Sequence, residues 1–282
     1  MQVFKPRVVI IHMKAPSVKT EPATHNMHKV GFSQQAQEVI RLSDVILLTL
    51  DARGINESRI PELEELIIEQ GKKIIHILMK IDLADKNKIL ASEEIKSLSY
   101  PIFISTKTKE GIAALRERIH ILAKKVKDHP IANIGVIGYP NTGKSSLLSL
   151  LARRAAAPVS AHSGFTKGIR KVRFAKGIIL LDSPGVIRKD ENLFENKNQK
   201  KHALLGVHTP ENVKNPDMIV VELMRMHPDK LEKFYKIEAN GDTEILLEEL
   251  GIRWNILKKK GQIDIDKVAR RVLKDWHLGH LK

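Results

Sequence analysis

Gly138-Tyr139-Pro140-Asn141-Thr142-Gly143-Lys144-Ser145 lies in the middle of a 282-residue chain and has the form G-x-x-x-x-G-K-[ST]. The glycines let the backbone turn sharply, so that several N–H groups point inward at phosphate oxygens. Lys144 is then expected to reach the β- and γ-phosphates of a nucleotide, and the Ser145 hydroxyl to ligate Mg²⁺. The stretch therefore predicts a phosphate-binding loop.

The flanking sequence supports this interpretation of the loop. Residues 134–137 are apolar and predict a buried strand, whereas residues 146–151 predict a packed helix. The N-terminus of that helix would direct its own positive end at a phosphate. The residues predicted to bind nucleotide here are Asn141, Thr142, Gly143, Lys144, Ser145 and Ser146.

The composition narrows the class of protein. The chain contains no cysteine, which excludes a disulfide framework and a thiolate zinc site. No run of about 18 apolar residues occurs, so no transmembrane helix is expected. Residues 1–6 lack the apolar core of a signal peptide. We expect a cytoplasmic protein without a membrane partner, long enough for two domains.

The positive charge is concentrated in one region. The formal net charge is +15, and residues 153–189 carry nine Lys and Arg against one Asp, a net of +8. This excess favours an RNA partner, contacted through phosphates and shape because aromatic residues make up only 4% of the chain. We expect neither DNA binding nor oligomers. The basic residues are Arg153, Arg154, Lys167, Arg170, Lys171, Arg173, Lys176, Arg188 and Lys189.

Strand and helix patterns alternate up to about residue 190. This alternation predicts an α/β fold, a sheet with helices on both faces. Residues 14–29 look like a loop. The predicted strands are residues 8–11, 45–50, 73–78, 101–104, 134–137, 169–174 and 177–181, the last two without a helix between them. The predicted helices are residues 33–42, 60–70, 92–98, 110–127 and 146–151.

The alternation stops after about residue 196. Residues 211–213, 217–226, 228–235, 243–250 and 265–276 predict helices. We therefore expect two domains: a nucleotide-binding domain over 1–190, whose first 30 residues are irregular, and a small all-helical domain over 196–282.

Two further features are typical of a nucleotide switch. Asp182-Ser183-Pro184-Gly185 follows an apolar strand and has the form D-x-x-G. Its Asp would hold Mg²⁺ through water, and the Gly185 N–H could approach a γ-phosphate because no side chain intervenes. Thr166 lies between this motif and the phosphate loop, where it is positioned to supply a second hydroxyl to Mg²⁺.

Base selection is predicted where two other strands end. Asp82 in Lys80-Ile81-Asp82 can accept two hydrogen bonds from guanine N1 and N2, a donor pair that adenine lacks, while Lys80 would cover the ring. The usual form N-K-x-D begins with Asn, where this chain has Met79. Ser105, Thr106 and Lys107 occupy the position of the S-A-[KL] loop, which supports the base through backbone N–H groups.

These motifs occur in a permuted order, with the base-specific pair first and D-x-x-G last. In this order the chain resembles the circularly permuted GTPases of the YlqF/RbgA-like family, which assist large ribosomal subunit assembly. Asp51-Ala52-Arg53 with Ser58-Arg59 looks like that family's D-A-R-x-P-x-S-S-R element, with Ile55 and Glu57 replacing the Pro and the first Ser. Residues 268–276 resemble the end of its C-terminal helical domain.

The resemblance implies a P-loop GTPase sheet, a GTP/GDP ligand with Mg²⁺ at Ser145, Thr166 and Asp182, and a helical RNA-binding domain. Val186 stands where many GTPases carry the Gln that orients water, so intrinsic hydrolysis is expected to be slow. Related GTPases that carry an Asn at the point of the phosphate loop occupied here by Asn141 use K⁺ to neutralise transition-state charge. His28 has the spacing at which family members carry a His proposed to act in hydrolysis. The candidate catalytic residues are His28, Asn141, Lys144, Thr166 and Gly185.

Three functions stay open at this point. The first is a GTP hydrolase that acts as a ribosome-assembly switch, with ribosomal RNA and the large subunit as partners. The second is an RNA-binding module that keeps GTP as a structural ligand. The third is an ATPase or nucleotide kinase, which Asp82 and the two switch motifs oppose.

Overall fold

The computed structural model describes residues 33–126, 130–152, 169–183, 196–227, 229–259 and 261–281. The chain divides into two compact units, Met1–Asn192 and Leu193–Lys282. Within the described ranges, the first unit is a sheet flanked by helices, and the second is built mainly from helices. The predicted strand at residues 8–11 lies outside the described residues.

The first unit contains six strands and seven helices in its described part. The strands are β1 (Val45–Asp51), β2 (Lys73–Met79), β3 (Ile102–Ile104), β4 (Ala132–Gly138), β5 (Arg170–Ala175) and β6 (Ile178–Asp182). The helices are α1 (Gln34–Leu42), α2 (Ile55–Ser58), α3 (Pro61–Glu69), α4 (Lys86–Ala91), α5 (Glu93–Lys96), α6 (Ile112–Ala123) and α7 (Lys144–Ala152).

The sheet order is β3-β2-β1-β4-β6-β5. The first five strands of this order run parallel, and β5 is antiparallel to β6. The strand that precedes the phosphate loop, β4, is fourth in sequence but lies in the centre, between β1 and β6. Because parallel strands share one carboxyl edge, loops from both halves of the first unit begin along the same line.

Helices cover both faces of the sheet, as predicted. Val45 and Leu47 of β1 belong to a buried cluster that also holds Leu115 of α6 and Leu148 of α7. The opposite face packs on α1, since a Cβ added at Gly135 would lie 2.7 Å from Ile46 Cδ1 and 3.1 Å from Val39 Cγ1. The alternation of strand side chains thus buries both faces, and the predicted α/β class is confirmed.

Some predicted helix boundaries differ from the structure. The helix predicted over 92–98 is the shorter helix α5, Glu93–Lys96. Helix α4, Lys86–Ala91, was not predicted, and the extended backbone of Ser92 separates the two helices. The helix predicted over 110–127 is shorter: α6 begins after Gly111, whose φ of +75° is left-handed, and it ends at Ala123. Local apolar content indicated α5 and α6 but not where the backbone leaves helical geometry.

The described part of the second unit consists of helices around one core. Residues 257 and 263 form an isolated antiparallel bridge beside them. The segment predicted as a helix over 211–213 is a single 3₁₀ turn, Pro210–Asn212. The helices are α8 (Asn196–Leu204), α9 (Pro216–Met226), α10 (Lys230–Tyr235), α11 (Thr243–Arg253) and α12 (Ile265–Leu278).

The last helix, α12, organises that core. Val268, Val272 and Trp276 are buried at helical spacing, and Trp276 Nε1 donates a hydrogen bond of 2.8 Å to the Leu204 carbonyl of α8. Helix α8 was missed by the sequence analysis because its stretch is polar until Ala203 and Leu204. Its apolar end is buried in the core, so packing rather than local pattern stabilises it.

Among the residues that the structure describes, no helix is both long enough and apolar enough to cross a membrane.

Candidate functional site

The backbone of the phosphate loop needs glycine at two places. A Cβ at Gly138 would lie 2.1 Å from Thr49 Oγ1, which is too close for any side chain. Gly143 has a φ of +106°, and a Cβ there would lie 3.0 Å from Met79 Cε. Asn141 adopts the left-handed conformation at a φ of +60°, which Asn tolerates better than most residues. The loop is therefore a tight turn between β4 and α7.

Lys144, the first residue of α7, is only 7% exposed. Its Nζ donates hydrogen bonds of 2.8 Å to the carbonyls of Gly138 and Tyr139, which fold the side chain back over the loop. Burial lowers the pKa of Lys144 to about 8, and the charge of Asp182 opposes that shift. A buried ammonium with two of three donors used fits an anion such as a phosphate.

Hydroxyl groups brace the underside of the loop. Thr142 is fully buried, and its Oγ1 lies 2.8 Å from the carbonyl of Tyr139 and 2.8 Å from Thr49 Oγ1. Thr49, on the neighbouring strand β1, also donates to the Ile137 carbonyl at 3.2 Å. Thr142 thus supports the loop from below, whereas any contact it makes with phosphate would come from its backbone N–H.

Ser145 and Ser146 are exposed in the first turn of α7. Asp182 ends β6 and is paired in register with Val136 of β4, the strand that leads into the loop. Burial raises the pKa of Asp182, against the opposing charges of Lys144 and Arg170. The structure therefore brings the loop lysine and the switch carboxylate into the same electrostatic environment.

These residues suit Mg²⁺ better than a metal ion whose ligands all come from protein side chains. Within the described ranges, no group of three or more His, Cys, Asp or Glu side chains is arranged to hold a metal ion. Mg²⁺ usually takes one or two carboxylates together with waters and substrate phosphates. Asp182 and the Ser145 hydroxyl would supply protein oxygens for such an ion.

The base-specific motif begins at the same edge of the sheet. Met79 at the end of β2 is paired with Asp51 of β1 on one side and with Ile104 of β3 on the other. Thr49 of β1 is in turn paired with Gly138 of β4. The strand ends that lead to Lys80, to Ser105 and to the phosphate loop are therefore neighbours along one line.

Met79, which replaces the usual Asn, touches the phosphate loop directly. The Met79 side chain is 1% exposed. A Cβ added at Gly143 would lie only 3.0 Å from Met79 Cε, so the two residues are packed together. Where the usual motif would present an amide, this chain has apolar packing between the base motif and the loop.

Lys80 is turned by a left-handed backbone, with φ +60° and ψ +35°. Its Nζ forms an ion pair of 2.8 Å with Asp51 Oδ2, and Asp51 also accepts two bonds from the Arg53 guanidinium. Burial lowers the pKa of Lys80, and Asp51 counteracts this. Asp82 follows in a 3₁₀ turn, Ile81–Leu83, and is half-buried, so it remains partly accessible to a base.

The third predicted base element is a tight loop after β3. The Ser105 N–H donates to the Glu110 carbonyl at 3.2 Å, and Ser105 Oγ accepts from the Thr108 N–H at 3.0 Å. Ser105 is fully buried and shapes the loop. Backbone donors toward a base would come from Thr106, which is half-buried, or from Lys107, which is exposed.

Three predicted site residues lie outside the described residues: His28, Thr166 and Gly185. Two more residues line this edge: Thr49 beneath the loop, which the sequence analysis did not single out, and Asp51 beside Lys80, which it named only as the start of the D-A-R element. A polar or charged residue at the carboxyl end of an otherwise apolar strand was the available signal for both. Their partners are distant in sequence, 93 residues away for Thr49 and 29 for Asp51, which hid their roles.

Comparison with known proteins agrees with this geometry. A family model described as 50S ribosome-binding GTPase matches residues 133–242. An uncharacterised GTP-binding protein of Methanocaldococcus jannaschii is 31% identical over 257 residues, which cover 90% of this chain and 66% of that protein. Nucleolar GTP-binding protein 2 of Neurospora crassa is 30% identical over 250 residues, covering 86% and 40%. The chain spans between 40% and 66% of the length of these curated relatives.

Among solved structures, the fold matches GNP-bound YlqF from T. maritima with a TM-score of 0.60 at 21% identity, covering 87% of this chain and 92% of that one. The fold and the order of its motifs define a P-loop GTPase whose sequence is circularly permuted. The chain carries the GTPase domain of that family model over residues 133–242, and its relatives of 30–31% identity are named GTP-binding proteins.

Proposed function

We propose that this protein is a GTP-binding and GTP-hydrolysing switch that acts in assembly of the large ribosomal subunit through contact with ribosomal RNA. One observation carries the proposal. Motifs from two distant parts of the sequence begin at one sheet edge, where Met79 of the base motif contacts Gly143 of the phosphate loop. A single nucleotide would need both motifs together.

The residue roles follow from this arrangement. Lys144 and the N–H groups of residues 141–146 would bind the phosphates, and Asp82 would accept from guanine beside Lys80 and the 105–107 loop. Ser145, Asp182 and Thr166 would hold Mg²⁺, which when bound neutralises phosphate charge. His28, Asn141 with K⁺, Thr166 and Gly185 are proposed for hydrolysis, which is slow because Val186 cannot orient water.

The switch would act through chain connectivity. Thr166 and Gly185 would hold the γ-phosphate in the GTP state and let go after hydrolysis. The segment that begins at Gly185 leads directly into the second unit, which starts at Leu193. We propose that residues 1–190 are the GTPase domain and that residues 196–282 are an RNA-binding domain whose placement on RNA depends on the nucleotide.

Support for the RNA contact comes from the basic residues on and beside β5. Arg170, Arg173 and Lys176 are exposed on the edge strand and the turn that follows it. A positively charged edge fits a phosphate backbone, and the binding would weaken as salt rises. We propose a cytoplasmic monomer with the large subunit as its partner.

Two measurements test the proposal. Competition for labelled GDP should be effective with GTP and ineffective with ATP, and equal competition by ATP would refute guanine specificity. GTP turnover should rise when purified large subunits are added, and it should be faster in KCl than in NaCl. RNA affinity that is the same with GDP and with a non-hydrolysable GTP analogue would refute the switch.

The second candidate function is an RNA-binding module with GTP as a structural ligand. Val186 favours it, since this residue removes the usual water-orienting side chain. A chain that binds GTP and RNA but shows no turnover with or without large subunits would establish this alternative.

A further inference from the structure

Asp51 sits in a buried three-charge cluster at the edge of the sheet. It is 2% exposed, and its carboxylate accepts from the Arg53 N–H and Nε at 3.0 Å, from Arg53 Nη2 at 2.8 Å and from Lys80 Nζ at 2.8 Å. The Asp51 N–H donates to Ser58 Oγ at 2.9 Å, which fixes the backbone under the carboxylate. Both ends of Asp51 are therefore held, and only its bond to Lys80 reaches the base motif.

Stability alone does not explain such a cluster. Removing charges from water costs more than a buried ion pair usually returns, so apolar residues could fill the same space at no loss. The distinctive effect of the cluster is on Lys80. A free lysine side chain samples many rotamers, and the ion pair with Asp51 selects among them.

We propose that Asp51, held in place by Arg53, is a positioning residue for Lys80 and thereby for the guanine base. This inference rests on the proposed function. The ion pair fixes the ammonium of Lys80 and with it the four-carbon stem that would lie over the ring. Nucleotide then binds without first ordering this side chain, and affinity rises accordingly.

The test is a double-mutant cycle on GDP affinity, with Asp51→Asn, Lys80→Met and the double variant. Asp51→Asn should weaken GDP binding about tenfold, and Lys80→Met should do the same because it keeps the stem but removes its anchor. The double variant should be no weaker than Lys80→Met alone. Additive losses would show that Asp51 does not act through Lys80 and would overturn the inference.

Further measurements separate positioning from folding. Lys80→Met leaves the Asp51–Arg53 pair intact, so it tests the anchor even if Asp51→Asn does not fold, and unchanged GDP affinity in this variant would overturn the inference. Lys96→Met makes the same chemical change in an exposed ion pair with Glu93 and should leave affinity unchanged. In the positioning variants, KM for GTP should rise while kcat holds.

Failure of the proposed function would look different. A wild-type chain that does not bind GDP would refute the nucleotide site itself. If the wild-type chain binds GDP and the Asp51→Asn variant binds it with equal affinity, only the role of Asp51 is refuted.

Discussion

The two halves of the first unit stabilise their parts of the site by different means. In the base half, residues 33–126, buried carboxylates are paired: Asp51 with Arg53 and Lys80, and Glu64 with Arg59. In the phosphate half, residues 130–183, Lys144 is buried against backbone carbonyls, and no carboxylate of the described residues lies within ion-pair distance of it.

The difference identifies which half lacks charge compensation on its own. A buried ammonium without a paired carboxylate is costly, as the pKa of about 8 for Lys144 reflects. A phosphate would supply the missing charge, so ligand binding should stabilise the phosphate half strongly. In the base half, the buried carboxylates already have partners within the protein, so these side chains are held in place before a nucleotide binds.

The largest expected effect comes from Lys144→Met. Loss of the charge should weaken GDP binding on the order of 100-fold, because bonds from a charged donor to phosphate are among the strongest. The apo variant should keep or raise its Tm, since an uncompensated buried charge has been removed. Isothermal titration and thermal melting measure the two effects. Lys176→Met, on an exposed turn, is the control and should bind as wild type does.

The lowered pKa of Lys144 predicts that the affinity for GDP depends on pH. Lys144 is charged below its free-state pKa of about 8, and bound phosphate would raise that pKa. Wild-type affinity for GDP should therefore be greatest below pH 8 and fall as the pH rises toward 9.5. The Lys144→Met variant should lack this fall, and a wild-type profile that stays flat through pH 9.5 would contradict the comparison.

The second effect concerns Glu64 in the base half. Arg59 bonds it twice at 2.7 Å, and His76 Nε2 lies 3.4 Å away. Burial alone would raise the pKa of Glu64, but Arg59 and His76 lower it by more than burial raises it. The resulting pKa is about 2, against an ordinary 4.5. The resulting stability, roughly 2–3 kcal/mol, is present above pH 4.5 and is lost as the pH falls through 2.

Urea unfolding of Glu64→Gln from pH 7 to pH 2.5 measures this contribution. The difference in free energy of unfolding between wild type and variant should be largest at pH 7 and shrink below pH 4. Glu65→Gln, an exposed change on the same helix, should follow wild type across the range. A difference that does not depend on pH would show that the ion pairs do not hold the base half.

The smallest effect is expected where the two halves meet. Met79→Asn restores the usual first residue of N-K-x-D but buries an amide in an apolar cluster, at a cost of about 1–3 kcal/mol. GDP affinity should not improve, because the packing against Gly143 is lost. Met79→Leu should cost less than about 1.5 kcal/mol and keep affinity. Tighter GDP binding by the Asn variant would mean that an amide hydrogen bond outweighs this contact.

Much of the fold could be predicted from particular residues. The alternation of strands and helices predicted the α/β class, and the structure has no helix between β5 and β6, where the sequence predicted none. The helix predicted over 60–70 is α3, which begins at Pro61, since proline suits the first helical turn. Helix α8 could not be predicted, because the burial of its end against residues distant in the sequence stabilises it.

The candidate site divides in the same way. The sequence by itself predicted the phosphate loop, the D-x-x-G motif and the base motif, because each depends on residues that are close together in the chain. The tertiary structure alone decided that Met79 packs on Gly143, that Thr49 braces Thr142 and that Lys80 is held by Asp51. These contacts join separate strands, and the order of the strands in the sheet, which depends on the packing of the whole unit, sets which strand ends meet.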